Sequence, residues 1–329
     1  AYRFTTQLAD RATHENLTAD GARERLGTLL TDYGQALLQT ADADWQVLGE
    51  TVLRRPPARA AVPRAHDRKK HYLLEEGTPV PFLVELGVMT PDGAVRKRRY
   101  DKFRQINRFL ELVDDVVPAL PAEGTLRVVD FGCGKSYLTF AIHHLLTVLR
   151  GREVELVGLD LKQDVIDGCS ALAERSGAVG LRFERGDIAD FAAGDDVDLV
   201  VSLHACDTAT DEALAQAIRW GADAILAVPC CQNEAYRQLQ SPLLAPLLRH
   251  GLAKERFAAL VTDTLRAQLL ELAGYRAQLV ELVAVEHTAK NVLIRAVKGK
   301  SAGADVRRAY EELRDSLGLD PALERLLAA

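Results

Sequence analysis

The chain has 329 residues, of which 48% are hydrophobic and 27% are charged, and its formal net charge is -6. This composition is ample for a large core plus an accessory domain. No segment reaches the roughly 18 uninterrupted apolar residues of a membrane span, and no charged and then apolar leader opens the chain, so we expect a cytoplasmic protein without a membrane partner.

The first 100 residues are predicted to form an accessory region that is helical at first and then basic. An amphipathic run between Ala22 and Leu37 predicts a helix within residues 1 to about 50. Prolines at positions 56, 57 and 63 then predict a linker or an extended segment. Residues 79–93 (PVPFLVELGVMTPDG) predict a β-hairpin that turns at Pro91-Asp92-Gly93.

Positive charge is concentrated between residues 51 and 108, a segment that contains 14 basic and six acidic residues. A net charge of +8 in one segment of an acidic chain is typical of a surface that contacts phosphates, although a solvated charged face is the alternative. Tyr72, Tyr100 and Phe103 interleave with these charges and are candidates to stack on unpaired bases. The basic residues that we predict to bind substrate are Arg96, Lys97, Arg98, Arg99, Lys102 and Arg104.

A nucleotide-binding corner is predicted in residues 126–140 (LRVVDFGCGKSYLTF), which read as a buried strand, a glycine turn and the start of a helix capped by Ser136. Gly132 and Gly134 let the backbone turn sharply and approach a ligand. A phosphate loop of the Walker type would need glycine at Val129, and a dinucleotide fingerprint would need one at Tyr137, so both of these classes are disfavoured.

Four further apolar strands follow the corner, separated by segments of helix length. The second ends at Asp160, where a carboxylate suits a ribose diol, the third ends near Asp187, the fourth at Asp207 and the fifth at Gln232. This alternation predicts an α/β protein with a mostly parallel sheet that binds ligands at its carboxyl edge. A helical insert over residues 234–273 and a closing antiparallel pair of strands complete the prediction.

The motifs DFGCGKSYLTF, HACDTATDEAL, VPCCQNE and HTAKNVLIRA resemble the class I S-adenosylmethionine-dependent methyltransferases, more narrowly a bacterial family of them. HACDTATD and the paired cysteines are also weakly similar to a eukaryotic tRNA 2'-O-methyltransferase group. The resemblance runs over about residues 126–298 and implies a Rossmann-like methyltransferase domain, which we expect at 101–299 and followed by a helical tail at 300–329.

The resemblance also implies S-adenosylmethionine as the cofactor. Asp130, Gly132 and Gly134 would line its methionine end, Asp160 would hold the ribose, and Asp187 with Ile188 would meet the adenine. The other residues expected at this cofactor are Cys133, Tyr137, Leu161 and His204.

Chemistry is expected beyond the fourth and fifth strands, where the resemblance puts the substrate. Asp207 or His204 could act as a base for a hydroxyl or amide acceptor, but Asp207 is as well explained as a helix cap and His204 as a core histidine. Gln232 is expected to contact substrate. Lys290, in the turn between the last two strands, could meet a substrate phosphate or simply lie exposed.

The five cysteines show no disulfide framework. Cys206, Cys230 and Cys231 admit a thiolate mechanism of the 5-methylcytosine type, with ordinary packing as the alternative. Because Cys230 and Cys231 lack the spacing of a structural zinc site, no metal is predicted, even though they could converge in space with Cys206 and His204.

The sequence therefore predicts a methyltransferase that acts on structured RNA, either tRNA or rRNA, with a ribose 2'-hydroxyl as the favoured acceptor. A methyltransferase of small molecules or proteins and a non-catalytic adaptor that binds RNA or protein are the alternatives.

Overall fold

The computed structural model describes residues 2–7, 12–39, 43–49, 51–56, 72–188, 191, 196–203, 205–282 and 291–328. The chain divides into two compact units, Ala1–Lys70 and His71–Ala329. This division lies about 30 residues before the expected boundary at residue 100, because the segment that follows residue 71 packs into the core of the second unit.

The first unit contains two small antiparallel sheets and one helix among its described residues. The helical prediction is right only for α1, and it is wrong for the strands around it. The elements in chain order are β1 (Tyr2–Gln7), β2 (Ala12–Leu17), α1 (Ala19–Asp32), β3 (Gln35–Gln39), β4 (Asp44–Leu48) and β5 (Thr51–Arg55), with β1 paired to β2 and β4 lying between β3 and β5.

The second unit is built on a sheet of seven described strands, whose order is β11-β12-β10-β9-β6-β7-β8. All neighbouring pairs from β10 to β8 are parallel, and β12 runs antiparallel to both of its neighbours. The sheet confirms the Rossmann-like class I methyltransferase fold. Its strands are β6 (Leu126–Phe131), β7 (Val154–Asp160), β8 (Leu181–Arg185), β9 (Leu199–Leu203), β10 (Ala224–Val228), β11 (Tyr275–Glu281) and β12 (Val292–Lys298).

Helices cover both faces of this sheet. One apolar core joins it to α2–α5, and a second core joins it to α6, α7 and α9–α11. The helices are α2 (Pro81–Glu85), α3 (Tyr100–Asp114), α4 (Tyr137–His144), α5 (Gln163–Ser176), α6 (Thr208–Arg219), α7 (Asn233–Gln238), α8 (Ala245–Leu248), α9 (Gly251–Leu272), α10 (Ala304–Ser316) and α11 (Ala322–Ala328).

The alternation of side chains along β6 decides which residues meet which helices. Leu126 and Val128 lie in the core that contains α4, whereas Val129 and Phe131 lie in the core that contains α6. Asp130 therefore points to the α4 side of the sheet.

The predicted hairpin at residues 79–93 is wrong in its first half. Pro81 begins the short helix α2, since proline suits the first turn of a helix, where its missing N–H leaves no bond unmade. The turn itself is present, because Met89 and Val95 form an isolated antiparallel bridge around Pro91-Asp92-Gly93. Among the described residues, no helix is long and apolar enough to cross a membrane.

Candidate active site at the carboxyl edge of the sheet

The carboxyl ends of five parallel strands meet at one edge of the sheet, as the pairing of β10, β9, β6, β7 and β8 requires. This carboxyl edge has two halves. Loops after β6, β7 and β8 form the cofactor half, and loops after β9 and β10 form the acceptor half.

The glycine turn after β6 is held in left-handed backbone conformations. The φ angles of Gly132, Gly134 and Ser136 are 69°, 51° and 54°, respectively. The N–H of Gly134 donates to Asp160 Oδ2 (3.1 Å), and the N–H of Cys133 donates to the carbonyl of Leu159 (2.9 Å). These bonds fix the turn against the end of β7.

Ser136 lies at the N-cap position of α4, but its side chain does not cap the helix. Its hydroxyl lies 3.0 Å from Cys169 Sγ and donates to the carbonyl of Gly134 (3.3 Å). The capping prediction is therefore wrong. A non-glycine residue in the left-handed region costs free energy, and such strain is typical of functional loops.

Asp130 is almost fully buried, with 1% of its surface exposed. The Thr139 hydroxyl donates to its Oδ2 (2.5 Å), while its buried Oδ1 has no hydrogen-bond partner among the described residues. Burial raises the pKa of Asp130 to about 7, although the bond from Thr139 acts to lower it. A carboxylate with one unsatisfied buried oxygen fits the ammonium group at the methionine end of the cofactor.

Asp160 joins the ends of three strands. Besides Gly134, it accepts from the N–H of Lys162 through Oδ1 (3.0 Å), and its carbonyl accepts from the N–H of Gly186 after β8 (3.2 Å). Each carboxylate oxygen has a second lone pair, so the two oxygens can still accept from the two hydroxyls of a ribose. Asp187, directly after Gly186, is exposed at the same edge.

The remaining residues predicted to bind the cofactor differ in how far their side chains are exposed. The Cys133 side chain packs against the core, and burial raises the pKa of its thiol, so only its backbone is available to a ligand. Leu161 is 63% exposed, and Ile188 packs against the second core. Tyr137 begins α4 beside the glycine turn.

In the acceptor half, Asp207 has φ 52° and ψ -117°, which is an unusual conformation for a non-glycine residue. Its side chain makes no capping bond to α6; instead Oδ1 accepts from the N–H of Glu234 in the first turn of α7 (3.2 Å). The carboxylate therefore links the loop after β9 to the loop after β10. Its other oxygen accepts no hydrogen bond from the residues that the structure describes.

A buried charged cluster lies beneath these loops. Arg266 of α9 donates to both carboxylate oxygens of Asp211 (2.9 and 2.6 Å), to Asp263 Oδ1 (3.1 Å) and to the carbonyl of Asp207 (3.0 Å). Asp263 in turn accepts from the Gln232 side chain (3.4 Å), and burial raises its pKa to about 6 against the opposing charge of Arg266. One guanidinium thus fixes both loops of the acceptor half.

Gln232 is only 7% exposed, and its amide nitrogen points toward Asp263. It nevertheless lines a cavity of about 190 Å³ together with residues of α7 and α9. The other lining residues are Asn233, Tyr236, Gly251 and Glu255.

The three cysteines of the acceptor half converge. Cys206 Sγ lies 3.3 Å from Cys231 Sγ, and Cys230 Sγ lies 3.8 Å from Cys231 Sγ. The contact with Cys231 raises the pKa of Cys206, and burial raises that of Cys230 to about 12. Raised pKa values argue against an activated thiolate nucleophile in the protein without a ligand.

The predicted substrate-binding residues lie on one exposed surface, which we call the basic surface: Arg96, Lys97, Arg98, Arg99 and Arg104, with the half-buried Lys102 beside them. Lys102 Nζ lies 4.7 Å from the centre of the Tyr137 ring, so this surface adjoins the glycine turn. Phe103 is fully buried against Tyr72 and Tyr100, which excludes it from stacking on a base.

His204 and Lys290, both predicted as catalytic, lie outside the described residues, so their roles remain predictions. The sequence analysis missed the buried cluster of Arg266, Asp211 and Asp263 entirely. The available signal was the presence of Asp263 and Arg266 on the otherwise apolar buried face of α9, which also carries Val261, Leu265 and Leu269.

Comparison with known proteins finds a family match within the second unit. Residues 101–238 match a family model described as a methyltransferase domain. No curated protein matches the chain.

Three solved structures are similar at low identity. The match with the citrinin polyketide synthase CMeT domain spans 60% of this chain and 52% of that domain's chain, with 15% identity and a TM-score of 0.40. The match with magnesium protoporphyrin IX methyltransferase (ChlM) from Synechocystis PCC 6803 with bound SAM spans 61% of this chain and 82% of that chain, with 18% identity and a TM-score of 0.36. The match with DszA carbon methyltransferase spans 63% of this chain and 56% of that chain, with 14% identity and a TM-score of 0.38. Similarities this low do not indicate a substrate or a reaction for this chain. The chain spans only about half of the first and third structures.

The cofactor half lies within the matched range and at the carboxyl edge of the sheet. The unsatisfied buried oxygen of Asp130 fits the ammonium group of S-adenosylmethionine, and the carboxylate of Asp160 fits the hydroxyls of its ribose. Residues 101–238 therefore match a methyltransferase domain, and they lie on a sheet with the class I methyltransferase fold.

Proposed function

We propose that this methyltransferase acts on RNA, with structured tRNA or rRNA as the substrate class and a ribose 2'-hydroxyl as the acceptor. The observation that carries the proposal is the basic surface next to the cofactor half. Arg96, Lys97, Arg98 and Arg99 are all exposed, and none of them has an acidic partner among the described residues.

The position of these four cations supports a phosphate contact. They immediately precede α3, which starts at Tyr100. The N-terminus of a helix carries a partial positive charge, so cations placed there gain nothing from the helix and repel its free N–H groups. A phosphate group would be attracted by both the cations and the helix N-terminus.

Lys102 supports a path from the basic surface to the cofactor. Its ammonium group lies over the ring of Tyr137, which follows the glycine turn by one residue. Burial, followed by the charge of Arg99, lowers the pKa of Lys102. A phosphate bound at Arg99 would relieve this repulsion on Lys102, the residue that contacts Tyr137.

The acceptor half supplies the groups that the reaction needs. When bound, the cofactor supplies an electrophilic methyl group on a sulfonium centre. Asp207 offers a carboxylate oxygen that can take the proton of the attacking hydroxyl, while its other oxygen stays on the N–H of Glu234. Arg266 holds the backbone of Asp207 in place, so the carboxylate is oriented before substrate arrives.

The salt dependence of RNA binding tests the docking step. The negative slope of log affinity against log salt should become shallower by roughly 1.4 in the double variant Lys97→Gln/Arg98→Gln, if each side chain contacts one phosphate of unpaired RNA. The matched control is Lys300→Gln/Arg307→Gln, which removes one lysine and one arginine that are exposed near and on α10.

We expect the control to bind RNA with the slope of the wild type. Equal slopes for the two double variants would contradict the RNA proposal and leave a small molecule or a protein as the substrate.

A further inference from the structure

Three cysteine sulfurs from two different loops lie within 4.8 Å of one another at the acceptor half. Cys206 comes from the loop after β9, and Cys230 and Cys231 come from the loop after β10. The spacing of these residues in the sequence did not predict a metal site, because the two loops are brought together only by the parallel pairing of β9 and β10.

The separations fit tetrahedral thiolate coordination. Zinc binds cysteine sulfur at about 2.3 Å, so two sulfurs of a tetrahedral site lie roughly 3.8 Å apart. The sulfurs of Cys230 and Cys231 are 3.8 Å apart, and those of Cys206 and Cys231 are 3.3 Å apart. Small rotations of three side chains would place all three sulfurs around one ion.

The surrounding structure holds both loops in place before any ion binds. Arg266 binds the carbonyl of Asp207, next to Cys206, and it also binds Asp263, which accepts from Gln232, next to Cys231. The strained backbone at Asp207 is maintained by the same contacts. A preformed set of ligands loses little conformational freedom when it binds an ion.

We propose that Cys206, Cys230 and Cys231 together bind one zinc ion as thiolates. Soft sulfur ligands select zinc over the hard cations, and binding releases the three thiol protons. Cys206 is exposed and the other two are half-buried, and the described residues supply no fourth ligand, so among them the fourth coordination position stays open. Three protein ligands with one open position are the pattern of a reactive zinc site, not of a closed structural one.

This zinc site goes beyond the proposed function, since it does not depend on RNA as the acceptor. An ion there would lie at the half of the edge that receives substrate, where its open position can take an oxygen, nitrogen or sulfur atom of the acceptor. Such coordination lowers the pKa of a bound hydroxyl or thiol.

Metal content tests the proposal directly. The full chain, purified without chelators, should contain one zinc per chain by inductively coupled plasma mass spectrometry. Cys206→Ser, Cys230→Ser and Cys231→Ser should each weaken zinc binding at least a hundredfold. Cys169→Ser is the matched control, because Cys169 is a buried cysteine of α5 outside the cluster, and it should retain one zinc.

The midpoint of urea unfolding, measured on each variant, reports whether the variant is folded. Folded variants that retain zinc as well as the wild type would overturn the proposal. If the serine variants do not fold, thiol counting in the wild type decides: zinc should protect three of the five cysteines from a thiol reagent. No protection, or a disulfide between Cys206 and Cys231 in place of bound zinc, would overturn the proposal.

Discussion

The two halves of the carboxyl edge are built in different ways. In the cofactor half, neighbouring strand ends are joined by short bonds between backbone groups and one carboxylate, as in the contact of Gly134 with Asp160. In the acceptor half, the loops depend on a guanidinium that arrives from α9, 55 residues from its partner Asp211. The cofactor half is thus a local structure, whereas the acceptor half exists only when distant elements have packed.

This difference has a chemical reason. The cofactor is the same for every substrate, so a fixed turn with close backbone approach suits it. The acceptor half must hold the strained Asp207 and three converging cysteines in positions that the local sequence does not favour. A buried network outside the loops can impose those positions.

The largest expected effect is on the buried network. Replacing Arg266 by methionine leaves Asp211 and Asp263 as uncompensated buried carboxylates, and we expect the free energy of unfolding to fall by about 3–5 kcal/mol. Denaturant unfolding measures this loss. The matched control is Arg308→Met, which breaks an exposed ion pair with Asp305 on α10 and should change stability by less than about 0.5 kcal/mol.

If the two arginine variants are equally stable, the acceptor half does not depend on the buried network. The comparison between the halves would then fail at its main point.

The second effect is confined to the cofactor half. Asp160→Ala removes the acceptor for the N–H of Gly134 and for a ribose diol, and hydrogen bonds to a charged group contribute about 1.5–3 kcal/mol. We therefore expect the dissociation constant for S-adenosylmethionine to rise about 10-fold to 150-fold in isothermal titration calorimetry. Asp164→Ala, in the exposed first turn of α5, is the control and should bind like the wild type.

The smallest expected effect is a pH dependence of cofactor binding. Burial raises the pKa of Asp130 to about 7, so the carboxyl of the ligand-free protein is protonated below that pH. A cofactor ammonium favours the charged carboxylate, and affinity should therefore increase as pH rises from 5.5 to about 7, by up to about tenfold per unit. Asp130→Asn should abolish this dependence, and a flat profile in the wild type would contradict the role of Asp130.

The same raised pKa has a consequence for stability. The folded state holds the Asp130 proton more tightly than the unfolded chain, whose carboxyl has the ordinary pKa of 3.8. The stability of the ligand-free protein should therefore decrease as pH rises from about 4 to about 7. Asp130→Asn should remove that part of the decrease, and urea unfolding across this range measures it.

The cofactor half could be predicted from the sequence because its signals are local. The glycines of residues 132 and 134 and the acid at the end of β7 have fixed meanings in a strand–turn–helix pattern. The central strands of the second unit could likewise be predicted, since β9 and β10 are short runs that are buried along their whole length, as in residues 199–203.

The rest depended on contacts that no local pattern specifies. Strands of the first unit such as β5 are exposed along their whole length, so they lack the alternation that marks a strand facing a core. The partners Asp211 and Arg266 lie far apart in the sequence, whereas the convergence of the cysteines was foreseen as possible because they follow adjacent strands. Residues 57–71 of the basic segment lie outside the described residues.

Transfer of labelled methyl from S-adenosylmethionine into the RNA, protein and small-molecule fractions of a cell extract tests the central claim most directly. The account predicts label in RNA that disappears with Asp160→Ala and decreases with Lys97→Gln/Arg98→Gln, but not with Lys300→Gln/Arg307→Gln. Label in protein or in small molecules, with none in RNA, would contradict it.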